Sequence, residues 1–416
     1  MQNSERSPSI LIVGLNYSPE PTGISVYTTG LAAGLVRRGY PVTVKTGYPH
    51  YPAWKVSSGY GGFRRNETLD GVNVSRLRHF VPRRASALGR MLMELTFALN
   101  VITTRFNPED VVLCVSPSLI SSILVRARIS LFRRKNASIL WVQDLYSLGV
   151  TETNAMPGTL AKLVTLLERR AFTSFSTVVV IHERFREYAV KQLDIAPEKI
   201  ASIRNWTHVR AFDESAKSKS VTDQDKMFVV LHAGNLGAKQ AMESVVEAAR
   251  LSQDEGLKIK FVLLGDGNRR KSLEALAAGL TDIEFIDPLP DSEFITALSN
   301  ADLLLVNEGK GVFEMAVPSK LTTYFATGIP IIAATEAGSI TAFEIEQSGA
   351  GLRVNPASAE DLIDGIQKIR QNKQFAASMA NAGRTYSREK LSETAALDAF
   401  DAIIGTLHTT ATPGRR

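Results

Sequence analysis

The stretch MFVVLHAGNLGAKQAMESVVEAA, Met227 to Ala249, joins an apolar run, a glycine turn and a helical pattern. An apolar, β-branched run stops at Gly234, a turn containing Asn235, Gly237 and Lys239 follows, and a helical pattern begins a few residues later. Strand, glycine turn and helix in that order are the repeating unit of a parallel sheet with crossover helices. Downstream the unit returns at KIKFVLLG (Lys258 to Gly265), IEFID (Ile283 to Asp287), DLLLVN (Asp302 to Asn307) and PIIAA (Pro330 to Ala334). Upstream, strands are predicted at SILIVGL (Ser9 to Leu15), PVTVKT (Pro41 to Thr46), VNVSRL (Val72 to Leu77), DVVLCV (Asp110 to Val115), SILWVQ (Ser138 to Gln143) and STVVVI (Ser176 to Ile181). Helical patterns at Ser25 to Arg38, Ser86 to Arg105 and Gly158 to Ala171 lie between them. The class is α/β, with two doubly wound sheets.

Between the two sets runs DESAKSKSVTDQDK, Asp213 to Lys226, polar and without periodicity, which reads as a linker or surface loop. The division expected is an N-terminal domain over residues 1–205, a C-terminal domain over 206–385, and a helix and tail over 386–416 that pack back on the first domain. Two such sheets leave a cleft, and ligands of open α/β sheets sit at the carboxyl ends of the strands. Site residues are therefore sought just after strands.

Length and composition are ordinary for a globular chain: 416 residues, 44% hydrophobic and 22% charged. They exclude disorder and a disulfide scaffold. The single Cys114 has no internal partner, and no Cys/His cluster of zinc spacing occurs, which fits a reducing cytoplasm. The N-terminus MQNSERSPSILIVGL offers only a short apolar run without a small-residue cleavage site, and Met91 to Ile102 is broken by Glu94 and Asn100, so neither a leader nor a membrane span is expected. Charge is uneven: residues 1–205 carry 26 basic and 14 acidic side chains, residues 206–416 carry 22 and 28. The excess gathers at Arg64-Arg65, Arg76, Arg78, Arg83-Arg84, Arg126, Arg128 and Arg133-Arg134-Lys135, with Phe80 and Phe132 interleaved. Such clusters suit anionic lipid headgroups; they also suit nucleic acid, or a solvated face with no partner.

Three strand ends of the second half favour phosphate. Gly234, Asn235, Gly237 and Lys239 form a glycine turn with a lysine; Gly265, Asp266 and Gly267 end the next strand; Pro318, Ser319 and Lys320 open a helix that Gly328 closes. Helix N-termini and glycine turns present free amides to anions, and a lysine adds a point charge. In the first half, Gly23 stands between the first strand and a helix, where it allows a sugar or phosphate to approach the backbone or simply makes a tight turn. No GxGxxG follows that strand, which counts against a dinucleotide-dependent dehydrogenase.

Taken in order, NYSPEPTGISVYT, SILWVQDLYS, IRNWTHV, AGNLGAKQ, LGDGNRRKSLE and PSKLTTYFATGIPIIAA resemble the retaining, nucleotide-sugar-dependent glycosyltransferases of family GT4. The resemblance covers nearly the whole chain and implies the GT-B fold, two doubly wound Rossmann-like domains facing across a cleft. PSKL and WVQDLY are most similar to the branch that builds bacterial exopolysaccharides and O antigens, including the colanic acid transferase group. It implies a UDP- or GDP-type sugar donor, a polyprenyl-diphosphate-linked saccharide acceptor and an anionic inner-membrane surface beneath a cytoplasmic, peripheral enzyme. No cofactor and no metal are expected, since no carboxylate cluster of the DxD type follows a strand, and no nucleic acid. Residue by residue, Gly23 lies against the donor, and Gly234, Asn235 and Lys239 hold the diphosphate, with Asn235 where the family usually has arginine. Gly265, Asp266 and Gly267 flank the nucleotide, Ile286 and Asp287 meet the base, and Pro318, Ser319, Lys320 and Leu321 supply amides and a cation. The family's two glutamates before the GxP turn fall on Met315 and Thr323, leaving Glu314 as substitute for the first and the Thr323 hydroxyl for the second. Its usual histidine is Gln143, followed by Asp144.

The resemblance implies transfer on one face of the sugar, a phosphate oxygen taking the acceptor's proton, Lys239 and Lys320 stabilising the leaving diphosphate and Asp144 orienting the acceptor or acting as base. A helix cap after a strand is the structural alternative for Asp144. His182 and His208 read as structural, and His79 as a surface residue. The rival reading is a non-catalytic GT-B protein that binds a nucleotide sugar or a partner. An epimerase or phosphorylase of the same build lacks a convincing acid-base cluster or cofactor lysine, and nucleic-acid binding lacks a reading module.

Overall fold

The structure is a computed structural model that describes residues 7–21, 23–83, 86–107, 109–116, 118–132, 136–147, 158–206, 227–312 and 319–411. By its contacts the chain forms two compact units, Met1–Asn205 with Glu393–Arg416, and Trp206–Ser392.

The first unit holds strands β1 (Ile10–Val13), β2 (Val42–Gly47), β3 (Arg64–Leu69), β4 (Val72–Leu77), β5 (Val111–Ser116), β6 (Ala137–Val142), β7 (Thr177–Val180) and β8 (Ile200–Ser202). Its helices are α1 (Ile24–Arg37), α2 (Ala87–Thr103), α3 (Leu119–Phe132), α4 (Gly158–Ser174) and α5 (Glu183–Leu193). The sheet order is β3-β4-β2-β1-β5-β6-β7-β8, and every pairing except β3 with β4 is parallel. Central strands carry apolar side chains on both faces because helices cover both, so β1, β5 and β6 are buried throughout. In register, Ile12 lies between Val44 and Leu113.

The second unit holds β9 (Phe228–Ala233), β10 (Ile259–Leu264), β11 (Ile283–Ile286), β12 (Leu303–Asn307), β13 (Ile331–Ala334) and β14 (Gly351–Val354). Helices α6 (Glu243–Asp254), α7 (Arg270–Leu276), α8 (Asp291–Asn300), α9 (Ser319–Thr327), α10 (Ile340–Ser348), α11 (Ala359–Gln371) and α12 (Lys373–Lys390) alternate with them. Its order β11-β10-β9-β12-β13-β14, all parallel, is the Rossmann order, and the strand sequence reverses between β9 and β12. Apolar clusters fill both faces, one under α6 and α11 and one under α9.

The last helix, α13 (Glu393–Ala411), belongs to the first unit. Phe400 is fully buried with its ring 5.1 Å from that of Trp141 on β6. Gly34 of α1 allows close approach, since a Cβ there would stand 2.6 Å from Leu397 Cδ1. Arg37 and Arg38 pair with Glu393 and Asp398.

Three strands escaped the sequence reading. RRNETL of β3 has no apolar alternation because it is an exposed antiparallel edge held by its pairing to β4. The others, β8 and β14, are short edge strands that borrow their hydrogen bonds from β7 and β13. The structure also corrects the basic tract. Arg76 is wholly buried, bonded to Glu67 and the Ser18 carbonyl, so it belongs to the core of the unit and not to a cationic face. Half-buried Arg126 donates to the Ser174 carbonyl at 2.6 Å. Arg84 and Arg133 to Lys135, like His208 and the linker Asp213 to Lys226, lie outside the described residues.

Candidate active site

The reversal point between β9 and β12 organises the second unit's site. Gly234 leaves β9 with φ +134 and Gly265 leaves β10 with φ +143. A Cβ on Gly265 would stand 1.9 Å from the Gly234 carbonyl oxygen, so the two turns touch only because residue 265 is glycine. The Gly265 amide donates to the Ile286 carbonyl at 2.9 Å, which ties the end of β11 to the same ledge.

Lys320, in the first turn of α9, reaches this ledge from 86 positions further along. A side chain on Gly234 would meet its Nζ at 3.1 Å, and Nζ lies 3.1 Å from His232 Nε2. The other ring nitrogen, Nδ1, faces the Leu305 carbonyl at 3.1 Å, where it must donate, so Nε2 offers a lone pair to the ammonium. Burial, then the charge of Lys320, holds His232 far below the usual histidine pKa and therefore neutral. Burial brings Lys320 down to about 8, partly offset by the carboxylate of Glu308. That carboxylate follows β12 and is fixed by the hydroxyls of Thr335 at 2.5 Å and Thr341 at 2.8 Å. Helix α9 is registered on β9 by Tyr324, whose hydroxyl accepts the Ala233 amide at 2.8 Å.

Around this centre the Asn235 side chain lies against Gly237 and Gly267: a Cβ on either would stand 2.7 Å from Nδ2 or 2.6 Å from Oδ1. The Asp266 carbonyl accepts from Leu236 at 2.9 Å, while its exposed carboxylate takes the Gly267 amide at 2.8 Å. Lys239 sits on a single 3-10 turn, Ala238–Gln240, its ammonium exposed and its carbonyl accepting from Gly309 at 2.8 Å. Asp287 is paired with Arg270 at 2.5 Å on the edge strand's end. Leu321 is buried in the core under α9, which leaves only its main chain for a ligand, and Thr323 is buried on the same helix. Glu314, Met315 and Pro318 lie outside the described residues, as does the Ser319 side chain.

In the first unit Gly23 caps α1 with φ +68, and Tyr51 Cε1 lies 3.8 Å from where its Cβ would be. The segment 48–54 is held over this turn by buried Glu20, which accepts from the amides of His50 at 2.8 Å and Tyr51 at 3.0 Å. His79 is not a surface residue: it is buried, its ring 4.9 Å from that of His50, and burial lowers it to about 4. Asp144 is exposed at the carboxyl end of β6, one oxygen accepting from Leu145 at 3.1 Å. The turn after it is supported from below, because buried Glu168 accepts from the Tyr146 and Ser147 amides at 2.8 and 3.3 Å. Gln143 makes a reciprocal amide pair with Asn205, at 3.2 and 2.7 Å. His182 caps α5 through Nδ1.

Lys320 thus meets Gly234, and Asn235 meets Gly267, within one strand-end cluster. Two residues of that cluster were missed. His232 carried a signal, a polar residue in an otherwise apolar parallel strand; Glu308 carried another, a carboxylate directly after β12 in VNEGKG.

A glycosyl transferase 4-like domain profile matches residues 22–206, and a glycosyl transferases group 1 profile matches residues 213–386. Over 403 residues the chain is 30% identical to the putative colanic acid biosynthesis glycosyl transferase WcaI of Escherichia coli K12, covering 92% of this chain and 97% of that one. The chain belongs to the GT4-like glycosyltransferases. The solved sucrose-phosphate synthase of Thermosynechococcus elongatus superposes with a TM-score of 0.70 at 15% identity, over 97% of this chain and all of that one. Anabaena Alr3699/HepE, solved with UDP, gives 0.66 at 15% identity over 96% of this chain and all of that one. The fold of this glycosyltransferase is therefore that of the GT-B enzymes, two Rossmann-like units with parallel sheets. Among the described residues no helix is long and apolar enough to cross a membrane.

Proposed function

We propose that this glycosyltransferase moves a sugar from a UDP- or GDP-type nucleoside diphosphate sugar to a hydroxyl of a lipid-linked saccharide, with retention, in bacterial surface polysaccharide synthesis. The observation that carries the donor reading is the partly buried Lys320 ammonium above Gly234 at the β9/β12 reversal, in the first turn of α9. The relation to WcaI and the complexes of HepE with UDP and UDP-glucose support the polysaccharide context and a uridine donor.

In this reading the bond from the anomeric carbon to the diphosphate oxygen breaks while the acceptor oxygen bonds to that carbon on the same face. The acceptor's proton passes to the departing phosphate oxygen. Lys320, Lys239 and the α9 amides stabilise the charge that develops on the diphosphate, a role fixed charges perform best in a site that needs little reorganisation. Gly234, Asn235, Gly265, Asp266 and Gly267 form the ledge under the nucleotide, Ile286 and Asp287 stand beside the base, and Thr323, Pro318, Ser319 and Glu314 complete the donor set. Asp144, at the end of β6, orients the acceptor hydroxyl for this transfer. The cations do the work of a metal here, so turnover is expected to survive chelation by EDTA. The basic excess of residues 1–205 supports a working position at the cytoplasmic face of an anionic membrane.

Thermal stabilisation by UDP, GDP, ADP and dTDP tests the donor site. A nucleotide at about 100 times its Kd adds about 2.7 kcal/mol. One of the four is expected to stabilise the wild type and to lose that effect in Lys239→Ala and Lys320→Ala; no response to any of them removes the donor reading. The lock of Gln143 onto Asn205, where the family's histidine usually stands, favours one rival, a protein that binds nucleotide without turnover. Release of nucleoside diphosphate in the presence of acceptor, with the product anomer assigned by NMR, separates the two.

A further inference from the structure

The last residue of β12, Asn307, is 1% exposed, an amide side chain in the interior of the second unit. Burying an amide is unfavourable unless its groups are bonded. Nδ2 donates to the Gln240 carbonyl at 2.7 Å and to the Ala241 carbonyl at 3.1 Å, which occupies both of its hydrogens. Among the described residues Oδ1 has no hydrogen-bond partner. What the buried amide secures is thus the 3-10 turn Ala238–Gln240, the turn that carries Lys239.

That turn needs support from outside. It is a single 3-10 turn, a geometry with poor internal hydrogen bonds, and Ala241 at its end stands at φ +43 and ψ +50, in the left-handed region that residues with a side chain rarely adopt. Such a conformation persists only where its surroundings over-determine it, and ligand clamps are common places for it. Here Asn307 and Ser244 Oγ both donate to the Ala241 carbonyl, the second at 3.2 Å, and the Gly309 amide donates to the Lys239 carbonyl at 2.8 Å. Gly309 also sets how near the strand end comes, since a Cβ there would stand 3.2 Å from Ala241 Cβ and 3.4 Å from the Lys239 carbonyl oxygen. Between these two contacts lies Glu308, the carboxylate that acts on Lys320. The end of β12 therefore touches the surroundings of both cations assigned to the diphosphate.

We propose that Asn307 and Gly309 are positioning residues for Lys239: they fix the main chain of its turn on the end of β12 and so hold its ammonium where the donor's diphosphate binds. Neither is assigned a contact with the donor; both act through the lysine. A long, exposed side chain loses rotamer freedom when it engages a ligand, and a fixed main chain leaves less to be lost at that moment. The inference deepens the donor reading and rests on it.

The test uses the full chain, with UDP and GDP as ligands in isothermal titration. The same samples are acylated on lysine with an N-hydroxysuccinimide ester, with and without saturating nucleotide, and read by mass spectrometry. In the wild type, the nucleotide that binds is expected to slow acylation of Lys239 at least tenfold relative to exposed Lys373. In Asn307→Ala and in Gly309→Ala, Kd should rise roughly tenfold, the scale of one lost charge-assisted hydrogen bond. Protection of Lys239 at saturation should fall below threefold in both. A residue that only supports the fold would lower the Tm and leave that protection intact. Gly309→Ala keeps the Asn307 amide and adds one methyl group, so it decides the matter if Asn307→Ala does not fold. Protection equal to wild type in either folded variant overturns the positioning role and leaves the donor reading standing. Binding without protection of Lys239 in the wild type overturns it as well, because the lysine is then not at the phosphate. No binding of UDP or GDP by the wild type removes the donor reading and this inference together.

Discussion

Lys320 is a cation held where a cation is costly, and the cost is useful only when an anion arrives. Its pKa near 8 means that the free site loses its charge within the working range. A diphosphate favours the ammonium, so affinity for UDP should be level below pH 8 and fall by up to tenfold per pH unit above it. Isothermal titration from pH 6.5 to 9.5 should show the inflection in wild type and lose it in Lys320→Arg, whose guanidinium does not titrate in this range; a flat wild-type profile would exclude Lys320 from the phosphate site. In Glu308→Gln the inflection should move to lower pH, because the carboxylate that partly restores the lysine's pKa is gone. Stability responds in the opposite sense. The unfolded chain binds this proton more tightly than the folded one, so between pH 8 and about 10.4 this group adds to stability as pH rises. Lys320→Met should therefore raise the Tm of the ligand-free protein and abolish stabilisation by UDP, a trade of function for stability.

Elements meet at this site through glycines, and the packing tolerates little. Gly265→Ala places a Cβ against the Gly234 carbonyl and forces a φ near +143 on a side-chain residue. The backbone strain alone is about 1–3 kcal/mol, so a fall in Tm with loss of nucleotide response is expected by differential scanning fluorimetry. A Tm within 1 °C of wild type, roughly what ordinary surface changes give, would mean that β9 and β10 do not close as described. The last helix works by a different means, burial. Removing the Phe400 ring from beneath Trp141 should cost about 3–5 kcal/mol, as large-to-small aromatic changes in cores do. Urea unfolding of Phe400→Ala, followed by tryptophan fluorescence, would show whether α13 is an integral layer of the first unit or a detachable tail.

On the scale of the whole molecule, charge is divided between the two halves of the chain, basic in residues 1–205 and acidic in 206–416. Each exposed lysine or arginine near an anionic surface contributes about 1 kcal/mol, and the attraction falls within a Debye length. Sedimentation with vesicles containing phosphatidylglycerol should therefore recover the protein at 50 mM salt and release most of it at 500 mM, while pure phosphatidylcholine should recover little at either. Equal recovery by both lipids would assign the interaction to the exposed Leu88 and Leu92 of α2 and leave the charge asymmetry without this role. Burial of Arg76 and partial burial of Arg126 reduce the cationic face to fewer residues than their number in the chain suggests.

Local pattern determined the two α/β halves, eleven of the strands and the glycine turns that end them, because apolar period and turn chemistry are properties of neighbouring residues. It also pointed to Lys320 and Gly234 separately. Only the tertiary structure decided that they meet, with His232 and Glu308 setting the lysine's charge, since sheet order brings β9, β12 and the start of α9 to one point and no spacing along the chain encodes that distance. The same holds for β3, a polar strand by virtue of its neighbour, and for His79 and Arg76, polar in sequence yet buried. Burial and cross-sheet partners are relations between distant segments, and the energies that depend on them exist only once the sheets have formed.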